Sequence, residues 1–109
     1  MYTHAVAFGE VGTLDLMHEV VLIEYKPKGR RFWYHTMNGY KKNIVTLHDL
    51  SMVMQAAEYV RSESYLINSR CIRKIEGNRA FMTNGMDVHL TRQARRELRR
   101  LQKKHNYIF

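Results

Sequence analysis

The chain reads as mainly β: antiparallel sheets built from short hairpins, with one internal helix and a basic C-terminal helix. Three observations predict this. Two Asn-Gly pairs, Asn38-Gly39 and Asn84-Gly85, sit between apolar runs, where strands are joined by tight turns. Met86, Val88 and Leu90 alternate with Asp87 and His89, the period of a strand with one face on a core. Only two stretches carry apolar residues at helical spacing. At 109 residues and 45% apolar composition the chain can build one core, not two.

In chain order, Val20–Glu24 is a strand ending in the turn Lys26-Pro27-Lys28-Gly29. A hairpin then joins Arg30–Met37 to Tyr40–Val45 through Asn38-Gly39, a dipeptide suited to the positive φ angles of a type I′ turn. Thr46 with Asp49 three residues on forms a helix-start signal. Leu47, Leu50, Val53, Met54 and Ala57 follow at helical spacing, so a helix is expected to about Glu58. Tyr65–Asn68 and Ile72–Ile75 are short strands, the second closed by Glu76-Gly77-Asn78. The second hairpin joins Arg79–Thr83 to Met86–Leu90. In Thr91–His105, the stripe Ala94, Leu98, Leu101 predicts a helix lying on the body by one edge.

The charge is unevenly distributed. The chain holds 18 Lys+Arg against 10 Asp+Glu, a net charge of +8. Residues 1–60 carry six bases and six acids, whereas residues 61–109 carry twelve bases and four acids, so the whole excess lies in the second part. Thr91–His105 alone has seven basic residues against Glu97. Such asymmetry points to a polyanion, nucleic acid first and an anionic membrane surface second; a solvated helix face is the alternative that charge leaves open.

Several chemistries lack their residues. No apolar run exceeds four residues and no leader segment is apparent, so a soluble, cytoplasmic domain is expected. The single cysteine, Cys71, has no partner for an internal disulfide; it lies between Arg70 and Arg73 and reads as a small, partly buried residue. The six histidines are scattered without metal-ligand spacing, and no phosphate loop or nucleophile elbow occurs. No catalytic residue, metal or cofactor is expected, and no enzyme.

Tyr59-Val-Arg-Ser-Glu-Ser-Tyr-Leu-Ile-Asn68 resembles the signature of the LytTR DNA-binding domains of bacterial response regulators. The family has an aromatic, a basic residue, His-Arg or His-Asn, then Ser-aromatic-two aliphatics-Asn. The pieces that follow, Ile72–Ile75, Arg79–Thr83, Asn84-Gly85, Met86–Leu90 and Thr91-Arg92, stand in the family's order, and the similarity runs over residues 14–101. It implies a domain there, between an N-terminal segment (1–13) and a C-terminal extension (102–109). It also implies stacked antiparallel sheets that insert three loops into successive major grooves of double-stranded DNA, commonly at paired direct repeats, with self-association on DNA and no membrane. Carried over one loop at a time, the family's contacts fall on Lys28, Arg30 and Arg31; on Arg61, Ser62 and Glu63; and on Thr91, Arg92 and Gln93. Arg95 and Arg96 follow as phosphate contacts. Arg30, Arg31 and Arg92 are suited to guanine and Gln93 to adenine.

One position departs from the pattern: Ser62-Glu63 replaces His-Arg or His-Asn. Either Glu63 reads a cytosine amino group and the sequence preference differs, or it turns away and binding is weaker. Two other functions remain open on the residues. One is a basic RNA-binding protein using the helix Arg99–Lys104 and the aromatics Trp33 and Tyr34, for which cross-strand packing is the plainer role. The other is an interaction module of the same fold without specific DNA binding.

Overall fold

Val20–Lys26 is apolar through its first four residues, three of them β-branched, a composition suited to a strand covered on both faces. It is the central strand of the largest sheet. The computed structural model of the chain describes residues 5–7, 13–15, 18–44 and 59–105. Within them lie ten strands, β1 (Ala5–Ala7), β2 (Thr13–Asp15), β3 (Val20–Lys26), β4 (Arg31–Thr36), β5 (Gly39–Ile44), β6 (Tyr59–Ser62), β7 (Tyr65–Asn68), β8 (Ile72–Glu76), β9 (Arg79–Met82) and β10 (Asp87–His89), and the helix α1 (Arg92–His105). All strand pairs are antiparallel: a five-stranded sheet in the order β5-β4-β3-β7-β6, a three-stranded sheet β10-β9-β8, and the pair β1-β2. β2 spans the point, between residues 13 and 14, where the sequence places a domain boundary. The helix expected over Leu47–Glu58 lies outside the described residues.

Both faces of β3 are buried. Val21 and Leu22 pack with Val60, Ile67, Ile72, Met82, Val88 and Leu90, and onto this cluster α1 sets Ala94, Leu98 and Leu101. The stripe read from the sequence is thus the edge by which the helix is held. Val20 and Ile23 face the other way, with Phe32, Tyr34 and Leu66. Strict alternation would separate Val21 from Leu22; a register irregularity between Val20 and Leu22 puts both on one side.

That irregularity also accounts for the signature asparagine. The β3–β7 ladder ends at Leu22↔Ile67, so the Val20 carbonyl has no ladder partner on β7. Asn68, wholly buried, donates its side-chain N–H to that carbonyl at 2.8 Å, and the Tyr59 hydroxyl reaches it at 3.4 Å. The Asn68 side-chain oxygen accepts from the Arg70 N–H at 3.1 Å, capping the 3-10 turn Ser69–Cys71. A buried carbonyl left without a partner costs about 1–3 kcal/mol. An amide at this position removes that cost.

The Asn-Gly turns differ from the I′ geometry expected of them. Neither Asn38 nor Asn84 has positive φ; Gly39 and Gly85 do, at +137° and +89°. At the second turn the Gly85 N–H bonds to the Met82 carbonyl at 3.1 Å, and the Met82 N–H to the Met86 carbonyl at 2.8 Å. This is a type I turn followed by a left-handed glycine. The Asn84 side chain stabilises the loop by accepting from the Met86 N–H at 3.1 Å, which requires no left-handed asparagine.

Candidate nucleic-acid interface

Pro27 fixes φ at the start of the β3–β4 turn, and the Arg30 N–H closes the turn on the Pro27 carbonyl at 3.1 Å. Gly29 takes φ +87° and Arg30, unusually for a residue with a side chain, φ +50°. Lys28, Arg30 and Arg31 are exposed, and none has an ion-pair partner among the described residues. Beside this turn, Lys26 and His35 contact the Glu24 carboxylate at 2.9 and 3.2 Å. Burial pushes that carboxyl up, but the hydrogen bonds from Lys26 and His35 outweigh it and hold it below its ordinary value.

The turn between β6 and β7 stands next to the first one, joined to the end of β3 that leads into it by the Tyr25 N–H donating to the Ser64 carbonyl at 2.8 Å. Its tip, Glu63, is the other non-glycine residue with positive φ among the described residues, at +56°. Non-glycine residues rarely adopt this conformation, at a cost of about 1–2 kcal/mol. Where they persist, neighbouring contacts hold them. For Glu63 those contacts are visible. Its carboxylate meets His89 Nδ1 at 2.6 Å, and its own carbonyl accepts from Arg61 Nε at 3.4 Å. A carboxylate only accepts, so Nδ1 carries the proton in this contact.

Ser62 joins the second turn to the third segment. Only 1% exposed, it donates its hydroxyl to the His89 carbonyl at 2.8 Å and accepts from the Thr91 N–H at 3.0 Å. Thr91 in turn caps α1: its hydroxyl accepts from the Ala94 N–H at 3.1 Å, and its carbonyl takes the Arg95 N–H at 2.9 Å. The first residues of the helix, Arg92 and Gln93, are exposed. Behind them Arg92, Arg95, Arg96 and Arg99 line one shallow groove. No ion pair engages these four among the described residues, whereas Arg100 is held by Glu97 at 2.7 Å. The positive end of the helix dipole adds to the same region.

Three segments far apart in sequence therefore form one continuous surface, made of residues 27–30, the turn at Glu63-Ser64, and the start of α1. It is basic and tied together by hydrogen bonds. Among the described residues no cluster of histidine, cysteine or carboxylate side chains could hold a metal ion. No helix there is long and apolar enough to cross a membrane.

No protein-family model matches the chain, and no curated protein does. Four solved chains match it. One is the LytTr DNA-binding domain of a Bacillus cereus protein described as a methyl-accepting/DNA response regulator. At 15% identity it superposes with a TM-score of 0.63, over 98% of this chain and 100% of that one. The chain has a LytTR-type fold. The likeness covers nearly its whole length; the antiparallel sheets are those the resemblance implies, and the C-terminal helix is the one the apolar stripe predicts.

On the LytTR-type fold the residues singled out by sequence divide into two groups. Lys28, Arg30, Arg31, Arg61, Glu63, Arg92, Gln93, Arg95 and Arg96 are exposed. Ser62 is buried and Thr91 half-buried, with the Ser62 hydroxyl spent on two main-chain groups and the Thr91 hydroxyl on the helix cap. They hold the surface together from beneath. The aromatics divide as well. Tyr34 is wholly buried, which removes it from any role in stacking on nucleic-acid bases. Trp33 lies flat against Tyr40 at 5.0 Å, with Lys26 Nζ 5.0 Å from its ring, so cross-strand packing occupies it. Burial pushes the Cys71 thiol up, against the lowering effects of a hydrogen bond with Thr83 and of the Arg70 charge, as expected of a packed rather than reactive cysteine. His89 reads from the sequence as a solvent-facing strand residue. It is exposed, but its role depends on Glu63, 26 residues earlier, and no local pattern reports that pairing.

Proposed function

We propose that the chain is a sequence-specific, double-stranded DNA-binding domain of a bacterial transcriptional regulator, acting in the cytoplasm. The observation that carries this is the joining of the three loops into one basic surface, through the Tyr25–Ser64 and Ser62–Thr91 hydrogen bonds. Its likeness to a domain described as DNA-binding supports the same function. Arg30 and Arg92 are the candidate guanine readers and Gln93 the adenine reader, with Arg31 beside them. Lys28, Arg61, Arg95 and Arg96 would hold phosphates and set the register. Ser62 and Thr91 position the reading residues rather than touch DNA. The partner is a duplex carrying paired direct repeats, on which two copies can sit.

The test compares duplex with paired direct repeats, scrambled duplex and structured RNA at several salt concentrations. Each phosphate neutralised on B-DNA contributes about −0.9 to the log–log salt slope. Preference for one duplex sequence over the scrambled one supports the proposal. Preference for RNA, or equal binding to every duplex, overturns it. Arg92→Ala should lose roughly ten- to a hundredfold in discrimination at one base pair if the guanidinium makes a bidentate contact.

A further inference from the structure

Glu63 puts a negative charge at the tip of a turn, in the middle of a basic surface. We infer that Glu63 is a base-reading residue, held in position by His89, and that it selects a cytosine in the major groove. The inference rests on the DNA-binding function proposed above and assigns the chemistry of one contact within it.

Phosphate oxygens only accept hydrogen bonds, and so does a carboxylate. Glu63 therefore gains nothing from the DNA backbone and is repelled by it. What a carboxylate can accept from in the major groove is an exocyclic amino group, on cytosine or adenine. The adenine amino group stands beside the N7 acceptor, which repels the second carboxylate oxygen. The cytosine amino group has no such acceptor on its own base. Cytosine is the better match.

The surroundings of Glu63 fit a reader better than a stray charge. No arginine or lysine takes up the carboxylate among the described residues: Arg61 bonds to the Glu63 main chain, and the side-chain contact is to His89. His89 contacts one oxygen, and a carboxylate has about four lone-pair sites, so accepting capacity remains for a base. The side chain is 55% exposed. Its left-handed backbone would suit glycine better, yet a residue with a reaching side chain stands there. The neighbouring turn repeats this feature at Arg30. Ser62 fixes the His89 carbonyl while His89 fixes the Glu63 carboxylate, so β10 and the turn brace each other twice. His89 is a positioning residue in this scheme.

The experiment selects bound sequences from a randomised duplex pool with the full chain and its variants, and measures affinity for the selected and scrambled duplexes. The parent chain should enrich cytosine at one position. Glu63→Gln should move that preference to adenine, because an amide can donate to N7 while accepting from the amino group. Glu63→Ala should lose about tenfold discrimination at that position alone, leaving the guanine position lost in Arg92→Ala untouched. His89→Ala should weaken the cytosine preference, and His89→Asn should restore it, since the amide nitrogen of asparagine falls near the place of Nδ1. A uniform gain in affinity for all duplexes in Glu63→Ala, with an unchanged sequence pattern, overturns the inference while leaving the proposed function standing. Failure of the parent chain to prefer any duplex sequence overturns both.

Discussion

Replacing Ser62 with alanine removes one oxygen and leaves two main-chain groups unsatisfied. The His89 carbonyl loses a donor at 2.8 Å, and the Thr91 N–H loses an acceptor at 3.0 Å. Both bonds are partly buried, so water can compensate only in part. Each orphaned group costs about 1–3 kcal/mol; taking the lower part of that range for each gives roughly 2–3 kcal/mol in total. At about 4 °C per kcal/mol for a domain of this size, Tm should fall by roughly 8–12 °C. Urea unfolding should show a lower midpoint with an unchanged m-value, the sign of lost stability rather than an altered denatured state. The loss should also appear in DNA binding. The Ser62 hydroxyl sets the start of α1 relative to the Glu63 turn, so discrimination between bases should fall while the salt slope, set by phosphate contacts, is retained. A change below about 0.5 kcal/mol, the ordinary effect of a surface substitution, would refute the claim that this hydroxyl joins the loops.

Other outcomes follow from the same structure. Replacing Arg95, Arg96 and Arg99 together with glutamine should lower the magnitude of the salt slope on duplex DNA by about 2.7 if each meets a phosphate; an unchanged slope in titrations at several salt concentrations would mark the stripe as solvated. Asn68→Ala should destabilise by about 1–3 kcal/mol, because the Val20 carbonyl keeps only its longer contacts to Tyr59 and Cys71 and the Arg70 N–H loses its cap, measured by chemical unfolding, with no effect on the salt slope. Leu98→Ala, at a helix position 1% exposed, should cost about 2–5 kcal/mol and loosen α1 from the sheets. Acid should weaken the fold through Glu24. Its carboxyl lies below its ordinary value in the folded chain, so its stabilisation is full above the unfolded pKa and is lost as pH falls through the lower, folded one. Unfolding free energies measured down through the carboxylate range should fall less steeply in Glu24→Gln than in the parent chain.

Most strands were legible because burial imposes a period of two, and Met86-Asp87-Val88-His89-Leu90 shows it without interruption. β6 was not. In Tyr59-Val60-Arg61-Ser62 the two buried positions are Val60 and Ser62, and a serine on the inward face reads as a loop residue. Ser62 is buried only because the His89 carbonyl and Thr91 N–H meet it, 27 and 29 positions further on. The Asn-Gly pairs located both turns but not their type, since Asn84 can stabilise a type I turn through its side chain as readily as it can adopt a left-handed backbone. The site was legible in the same partial way. Composition and resemblance identified which residues are basic and which loops to inspect, whereas the bonds that bring those loops together are long-range and carry no local signal.

The two kinds of charge on this surface are held differently, and the difference bears on function. The arginines of α1 belong to a regular helix anchored by Ala94, Leu98 and Leu101. Behind its first turn, Arg95, Arg96 and Arg99 are exposed along one groove and hold no ion pair among the described residues, which suits a phosphate backbone that repeats regardless of sequence. Arg30 and Glu63 instead sit in left-handed backbone at the tips of two adjoining turns. A strained position gives no advantage to a residue that need only be positive, because a flexible lysine on any exposed loop serves phosphate equally well. It does give one to a side chain that must reach a single direction, as base reading requires. From Arg95 onward the helix is therefore where substitutions should change affinity alike on every duplex, whereas the two turn tips and the exposed start of α1, Arg92 and Gln93, are where they should change which duplex is chosen.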